Sequence, residues 1–208
     1  QITIFCRSAL TKSGAEKYKS RVKRAYIFIL SYLYQKMSLK KKVIIGIAGI
    51  SGSGKTTLAK KLAKKINAKI IHLDDYWRYH KATRLPSRKD WWKWEHPNAF
   101  NPAKVLREIK KIKDNVIVEG LHTFNYPRLR KILDFKVYYS IPNNLVIKRR
   151  VEKFGEGDNQ RDYSRNSVIK YYKRWGMPSK KYADLILSGK SNINDNIKKT
   201  LNLIEKVK

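Results

Sequence analysis

The stretch that most constrains this chain is Gly49-Ile50-Ser51-Gly52-Ser53-Gly54-Lys55-Thr56, followed by Thr57. It satisfies the pattern G-x-x-x-x-G-K-[ST] at every fixed position. Glycines let the backbone curl close to an anion, successive amide N–H groups converge on phosphate oxygens, and a helix start behind them adds its positive dipole end. Such a loop works only between a strand and a helix, and both are predicted here. Residues 43–48 (VIIGIA) are a short apolar run, read as a buried strand, and 56–66 read as a helix with Leu58, Leu62 and Ile66 at four-residue spacing. Gly49, Ser51, Gly52, Ser53, Gly54, Lys55, Thr56 and Thr57 are therefore the expected nucleotide contacts. Lys55 is expected to reach the β- and γ-phosphates and Thr56 to offer its hydroxyl to Mg2+. ATP and Mg2+ are the implied cofactors.

The pattern continues in the same sense. Further strands are predicted at 69–73, 116–118, 135–141 and 183–187. Helices are predicted at 102–113, with Val105, Leu106, Ile109 and Ile112 on one face, and at 128–133, 143–153, 164–175 and 194–207. Strands alternating with helices imply a parallel sheet covered on both faces. The expected fold is an α/β P-loop NTPase, three layers α/β/α around a five-stranded parallel sheet. A small lid is expected at about 153–165, where Gly155 and Gly157 interrupt a polar stretch. Residues 1–36 carry no readable motif. They read either as a basic N-terminal extension with a helix at 15–35 or as sequence upstream of a start at Met37, with the P-loop domain at 37–208.

The formal net charge is +32. A charge of that size attracts polyanions, nucleic acid included. The lysines are spread along the whole chain rather than gathered in one tail, so solvated helix faces are the preferred reading and nucleic acid is the disfavoured partner. The single cysteine, Cys6, allows no disulfide within the chain, which fits a reducing, cytoplasmic setting. No run reaches the ~18–20 apolar residues of a membrane span, so no membrane partner is expected. A homo-oligomer is compatible with the sequence.

Gripping phosphate does not define a reaction. A GTPase would carry N-K-x-D and D-x-x-G motifs, and neither occurs. Asp74 follows the second predicted strand, at the end where ligands gather in open α/β sheets. A carboxylate there can take the proton of a hydroxyl as it attacks phosphorus; a solvated loop aspartate or a helix cap is the competing reading. Trp91, Trp92 and Trp94, interleaved with Arg84, Arg88, Lys89 and Lys93, read first as a pocket wall, next as a loop anchor, and last as a stacking platform for single-stranded nucleic acid. Lys148, Arg149 and Arg150 are consecutive, so a helix sends them to different faces and at most one or two enter a site.

Several matches in one order resemble the uridine kinase and phosphoribulokinase-like kinases, a group that includes nicotinamide riboside kinases. These are the loop at 49–57; Asp74-Asp75-Tyr76-Trp77; Glu95-His96-Pro97-Asn98-Ala99-Phe100-Asn101, similar to the family's Asp-His-Pro-Asp-Ala-Phe-Asp; Val118-Glu119-Gly120; Lys148 to Val151 with Arg161-Asp162; and Lys181-Tyr182-Ala183-Asp184-Leu185-Ile186 after Pro178. Together they span residues 43–189.

The resemblance implies an ATP-dependent kinase acting on the 5′-hydroxyl of a nucleoside, uridine or cytidine first, with nicotinamide riboside or another ribosyl or sugar-phosphate acceptor as the alternative. It implies that Asp74 is the catalytic base and also lies by the metal, and that Glu95, in place of an aspartate, holds ribose hydroxyls with His96 orienting its loop. Glu119 is implied as the carboxylate near the metal, Tyr76 and Trp77 as walls of the nucleoside site, and Arg161 and Arg165 as lid cations. One feature departs from the family. Where uridine kinases carry a β-hairpin that contacts uracil, only Asp114 and Asn115 separate the 102–113 helix from the next strand.

Overall fold

The computed structural model describes residue 22 and residues 42–78, 88–155 and 158–205. The chain divides into a unit of residues 1–41 and a unit of residues 42–208. In the first, only Val22 is described, and it is helical. The helix expected at 15–35, the start at Met37, Cys6, Arg84, Gly157 and the end of the C-terminal helix lie outside the described residues.

The second unit is built on a five-stranded sheet: β1 Ile44–Gly49, β2 Ala68–His72, β3 Asn115–Gly120, β4 Phe135–Ser140 and β5 Leu185–Ser188. The spatial order is β2-β3-β1-β4-β5, and every pairing is parallel. All five predicted strands are present. β3 runs further than its apolar run suggests, because Glu119 pairs with Ile47 of β1 and His72 of β2 while Gly120 pairs with Ala48. β5 starts at Leu185; before it, the Asp184 side chain accepts the Lys136 N–H at 2.7 Å and holds the chain beside β4.

Among the described residues, the helices packed around the sheet include α1 Lys55–Ile66, α2 Pro102–Lys111, α3 Pro127–Lys131, α4 Asn143–Phe154, α5 Asp158–Tyr163 and α6 Ile193–Glu205, and a short helical turn, Trp92–Glu95, lies between α1 and α2 in the chain. Strand side chains alternate between faces. Ile45, Ile47, Ile117 and Val137 pack with Leu58 and Leu62 of α1 and with Ile197 and Ile204 of α6. Ala48, Val116, Val118 and Tyr138 pack on the other face with Val105 and Ile109 of α2 and Val146 of α4. Each fully buried aliphatic chain contributes about 1.5–3 kcal/mol, so the two layers fix where the strand ends point. α2 starts on a side-chain cap, Asn101 Oδ1 accepting from the Lys104 N–H at 3.2 Å, with Pro102 at its first position.

The helix predicted at 164–175 is not a plain α-helix. α5 runs on into wide π-turns, Ser164–Ile169 and Tyr172–Gly176, and then a 3-10 stretch, Met177–Tyr182. Among the described residues, no helix is long and apolar enough to cross a membrane. Because β1 lies between β3 and β4, the crossovers from β1 and β3 leave in opposite directions. That reversal opens a crevice at the carboxyl end of β1, where the phosphate loop begins.

Candidate active site

The loop after β1 is shaped by backbone that side chains avoid. Gly52 and Gly54 sit at φ 79° and 102°, and Ser53 N–H bonds to Ile50 O at 3.1 Å. Gly54 precedes α1 and supplies no side-chain cap. The first amides of α1 are therefore left to an anion. A cavity of about 480 Å³ lies over the loop, lined by Ser51, Gly52, Ser53, Gly54, Lys55, Thr56 and Thr57, with Tyr139, Arg149, Arg150 and Ser191 among its other walls. All the predicted nucleotide contacts except Gly49, which ends β1, face this space.

Glu119 stands behind the loop. Thr56 Oγ1 donates to Glu119 Oε1 at 2.9 Å, His72 Nδ1 lies 2.7 Å from the same oxygen, and Lys55 Nζ is 4.0 Å from Oε2. Glu119 is 5% exposed, and its Oε2 has no hydrogen-bond partner among the described residues. Among the described residues, no group of three His, Cys, Asp or Glu side chains could hold a metal by itself. A hydroxyl and a carboxylate oxygen that accepts no hydrogen bond among the described residues, beside a phosphate loop, fit Mg2+, which takes one or two protein oxygens and leaves the rest to phosphates and water.

A second cavity, about 410 Å³, adjoins the first through Ser51, Lys55 and Arg150. It is lined further by Asp74, Glu95, Trp77, Trp94, Phe100 and Tyr163. Asp74 sits in the turn Leu73–Asp75 directly after β2. Loss of hydration among the cavity walls raises its pKa, Lys55 opposes that rise, and the Glu119 and Asp75 carboxylates add to it. Its open side toward the cleft limits the effect. Glu95 is 8% exposed. Burial lifts its pKa from 4.5 to about 6, against the pull of Arg150 and of the Tyr163 hydroxyl, which donates to Oε1 at 2.6 Å. His122 holds the same loop from below. Its Nε2 lies 2.8 Å from the Glu95 carbonyl oxygen, and burial lowers its pKa to about 4, so it is neutral near pH 7.

The aromatic wall is compact. Trp77 meets Trp94 edge-on at 5.5 Å and tilts over Phe100 at 4.7 Å. Trp94 thus occupies the pocket wall the sequence suggested, whereas Trp91 is buried edge-on to Tyr163 at 5.2 Å.

Besides Gly49 and Glu119, four expected site residues are not among those lining either cavity. Tyr76 is half-buried against the core. His96 accepts the Asn98 N–H at 3.0 Å and packs edge-on to Trp175 at 5.2 Å, orienting the loop without facing the cavity. Arg161 and Arg165 are exposed on α5 and the first π-turn.

The cations that do face the loop come from α4. Arg150 Nη1 donates to Ser51 Oγ at 2.5 Å and Nε to Ser164 Oγ at 3.1 Å. Arg149 donates to the carbonyls of Gly52 (3.1 Å), Ser53 (3.4 Å) and Gly189 (3.0 Å). Lys148 points outward, 4.0 Å from Glu152. Sequence reasoning allowed two inward residues in this triplet without choosing them. The signal was Val146, an apolar residue one helical turn before Arg150 and so on its face.

Comparison with known proteins bears on the family and the fold. The family description AAA domain matches residues 45–173. The chain is 32% identical to the uridine kinase of Borrelia hermsii, the match covering 69% of this chain and 85% of that protein. It is 27% identical to the uridine kinase of Ligilactobacillus salivarius, covering 71% and 85%. Among solved structures, shikimate kinase from Bacteroides thetaiotaomicron superposes over 78% of this chain and 98% of its own, with a TM-score of 0.56 at 19% identity. The Acinetobacter baumannii shikimate kinase, in complex with shikimate, covers 83% and 98%, with a TM-score of 0.53 at 19% identity. At such identity the structural likeness speaks to the fold alone.

Proposed function

The chain belongs to the uridine kinase family of P-loop kinases and is an ATP-dependent phosphotransferase, and from that premise we propose that it phosphorylates the 5′-hydroxyl of a nucleoside, uridine or cytidine. The observation that carries this reading is the pairing of carboxylates. Asp74 and Glu95 line one aromatic-walled cavity whose other end is Lys55 and Ser51 of the phosphate loop. A sugar held by Glu95 through its ring hydroxyls presents its remaining hydroxyl to Asp74, next to the γ-phosphate.

In this reading Asp74 takes the proton of the attacking 5′-hydroxyl. The new bond joins that oxygen to the γ-phosphorus, and the bond to the β–γ bridging oxygen breaks to leave ADP. Lys55 and Arg150 face the charge that builds on the transferring group, where most of the catalysis of phosphoryl transfer lies. Thr56 and Glu119, with Asp74 nearby, would hold Mg2+, which supplies further neutralisation of phosphate charge. The segment 153–165 is assigned the lid role, with Arg161 and Arg165 as its cations.

Asp74→Asn is expected to lower kcat by about 10²–10⁴-fold, the scale of a general base, with ATP affinity retained in equilibrium titration. Undiminished turnover would remove Asp74 from the mechanism. The acceptor itself is tested by presenting purified protein and ATP-Mg2+ with uridine, cytidine, nicotinamide riboside and ribulose 5-phosphate. A nucleoside 5′-monophosphate is the expected product.

One observation favours the second acceptor, nicotinamide riboside. α2 ends at Lys111 and β3 begins at Asn115, so no hairpin reads a uracil edge there. Faster turnover of nicotinamide riboside than of uridine would select it.

A further inference from the structure

Tyr163 ends α5 at the wall of the acceptor cavity. It is 1% exposed, set in the core and edge-on to Trp91. A phenol so deeply placed must satisfy its hydroxyl inside the protein, and it does so on Glu95 Oε1 at 2.6 Å. The next residue, Ser164, accepts from Arg150 Nε, and the same guanidinium reaches Ser51 of the phosphate loop. Two consecutive residues at the seam between α5 and the first π-turn therefore hold the acceptor-side carboxylate and the donor-side arginine together. A glutamate has one more rotatable bond than the aspartate that the resemblance leads one to expect here. Tyr163 stands where the longer side chain ends.

We propose that Tyr163 is a positioning residue for Glu95: its hydroxyl occupies one carboxylate oxygen, fixes the carboxylate plane, and reserves the other oxygen for the paired ring hydroxyls of a ribosyl acceptor. The inference rests on the reading of Glu95 as the group that holds the sugar. Locking the side chain before the acceptor arrives removes an ordering cost from binding. The hydroxyl also favours the ionised carboxylate, the form that accepts two hydroxyl donors. The groups facing Glu95 are Arg150, Lys55 and Lys153 as cations, Asp74 as an anion, Tyr163 on its carboxylate and His122 on its backbone carbonyl. Of these, only Tyr163 is hydrogen-bonded to the carboxylate among the described contacts.

The test is Tyr163→Phe, which keeps the buried ring and removes only the hydroxyl, assayed with uridine and ATP-Mg2+. The uridine KM is expected to rise about tenfold, the scale of a hydrogen bond to a charged group, with the ATP KM within about twofold. The acid limb of kcat/KM for uridine moves up by about one pH unit, and so does the Glu95 carboxyl midpoint followed by 13C NMR in the free protein, because a donor to the charged form is gone. In a Glu95→Gln background, Tyr163→Phe adds nothing to the pH limb.

If Glu95→Gln raises the uridine KM while Tyr163→Phe leaves both KM and acid limb in place, the positioning role is overturned. If Glu95→Gln leaves the uridine KM unchanged, it is the reading of Glu95 as sugar-holder that fails. The NMR midpoint then judges Tyr163 alone, and an unmoved midpoint overturns it. Should Tyr163→Phe fold poorly, Glu95→Asp withdraws the carboxylate from the phenol instead and is expected to reproduce the KM rise.

Discussion

At Glu95 burial and the proposed sugar-holding role pull in opposite directions. Its pKa lies at about 6 against an ordinary 4.5, so the native state binds the proton more tightly than the unfolded chain. That contribution to stability is fully present below about pH 4.5 and is lost as pH rises through 6. At 1.36 kcal/mol per pH unit it amounts to about 2 kcal/mol. Glu95→Gln is therefore expected to unfold at higher urea at pH 8, by about 2 kcal/mol, and to match the parent near pH 4. Its acceptor binding should be lost throughout. Urea titrations at the two pH values check the sign. Asp74, Glu95, Lys55, Thr56 and Glu119 were legible in the sequence because each sits at a fixed place in a motif. Tyr163 was not, because nothing in its neighbours along the chain, Asp162 and Ser164, indicates that it meets a residue 68 positions away.

At the scale of elements, α4 does more than cover the sheet. Arg149 ties the loop carbonyls of Gly52 and Ser53 to Gly189 beyond β5, so one side chain spans the strands on either side of β4. Arg149→Met is expected to leave these acceptors without their charged donor, costing about 1–3 kcal/mol and raising the ATP KM several-fold. Lys148→Met, on the exposed face, should stay within about 0.5 kcal/mol. Thermal melts and ATP titrations of the two variants separate them. Strand and helix positions followed from apolar periodicity, which reports burial well. It faltered at the end of β3, where the buried residues are Glu119 and Gly120, and along 164–176, where wide turns shift the period away from 3.6. Both places border the site, where local pattern yields to chemistry.

For the whole molecule the dominant quantity is +32. The donor is an anion and a nucleoside acceptor is neutral, so the charge acts on them unequally. Raising ionic strength from about 50 to 300 mM shortens the screening length from roughly 14 to 6 Å. The ATP KM is expected to rise several-fold over that range while the uridine KM stays nearly flat. Equal responses would mean that the charge does not steer the nucleotide. The same titration with RNA in place of ATP separates a general polyanion surface from a nucleotide funnel. The packed pair Trp77 and Trp94 gives the molecule an optical property of its own. These indoles line the cavity shared by Asp74 and Glu95, whereas Trp91 is buried in the core. A base packing against them should quench part of the ultraviolet emission and leave the core indole bright. The protein then carries its own fluorescent reporter, able to register an arriving ligand before any phosphate has moved.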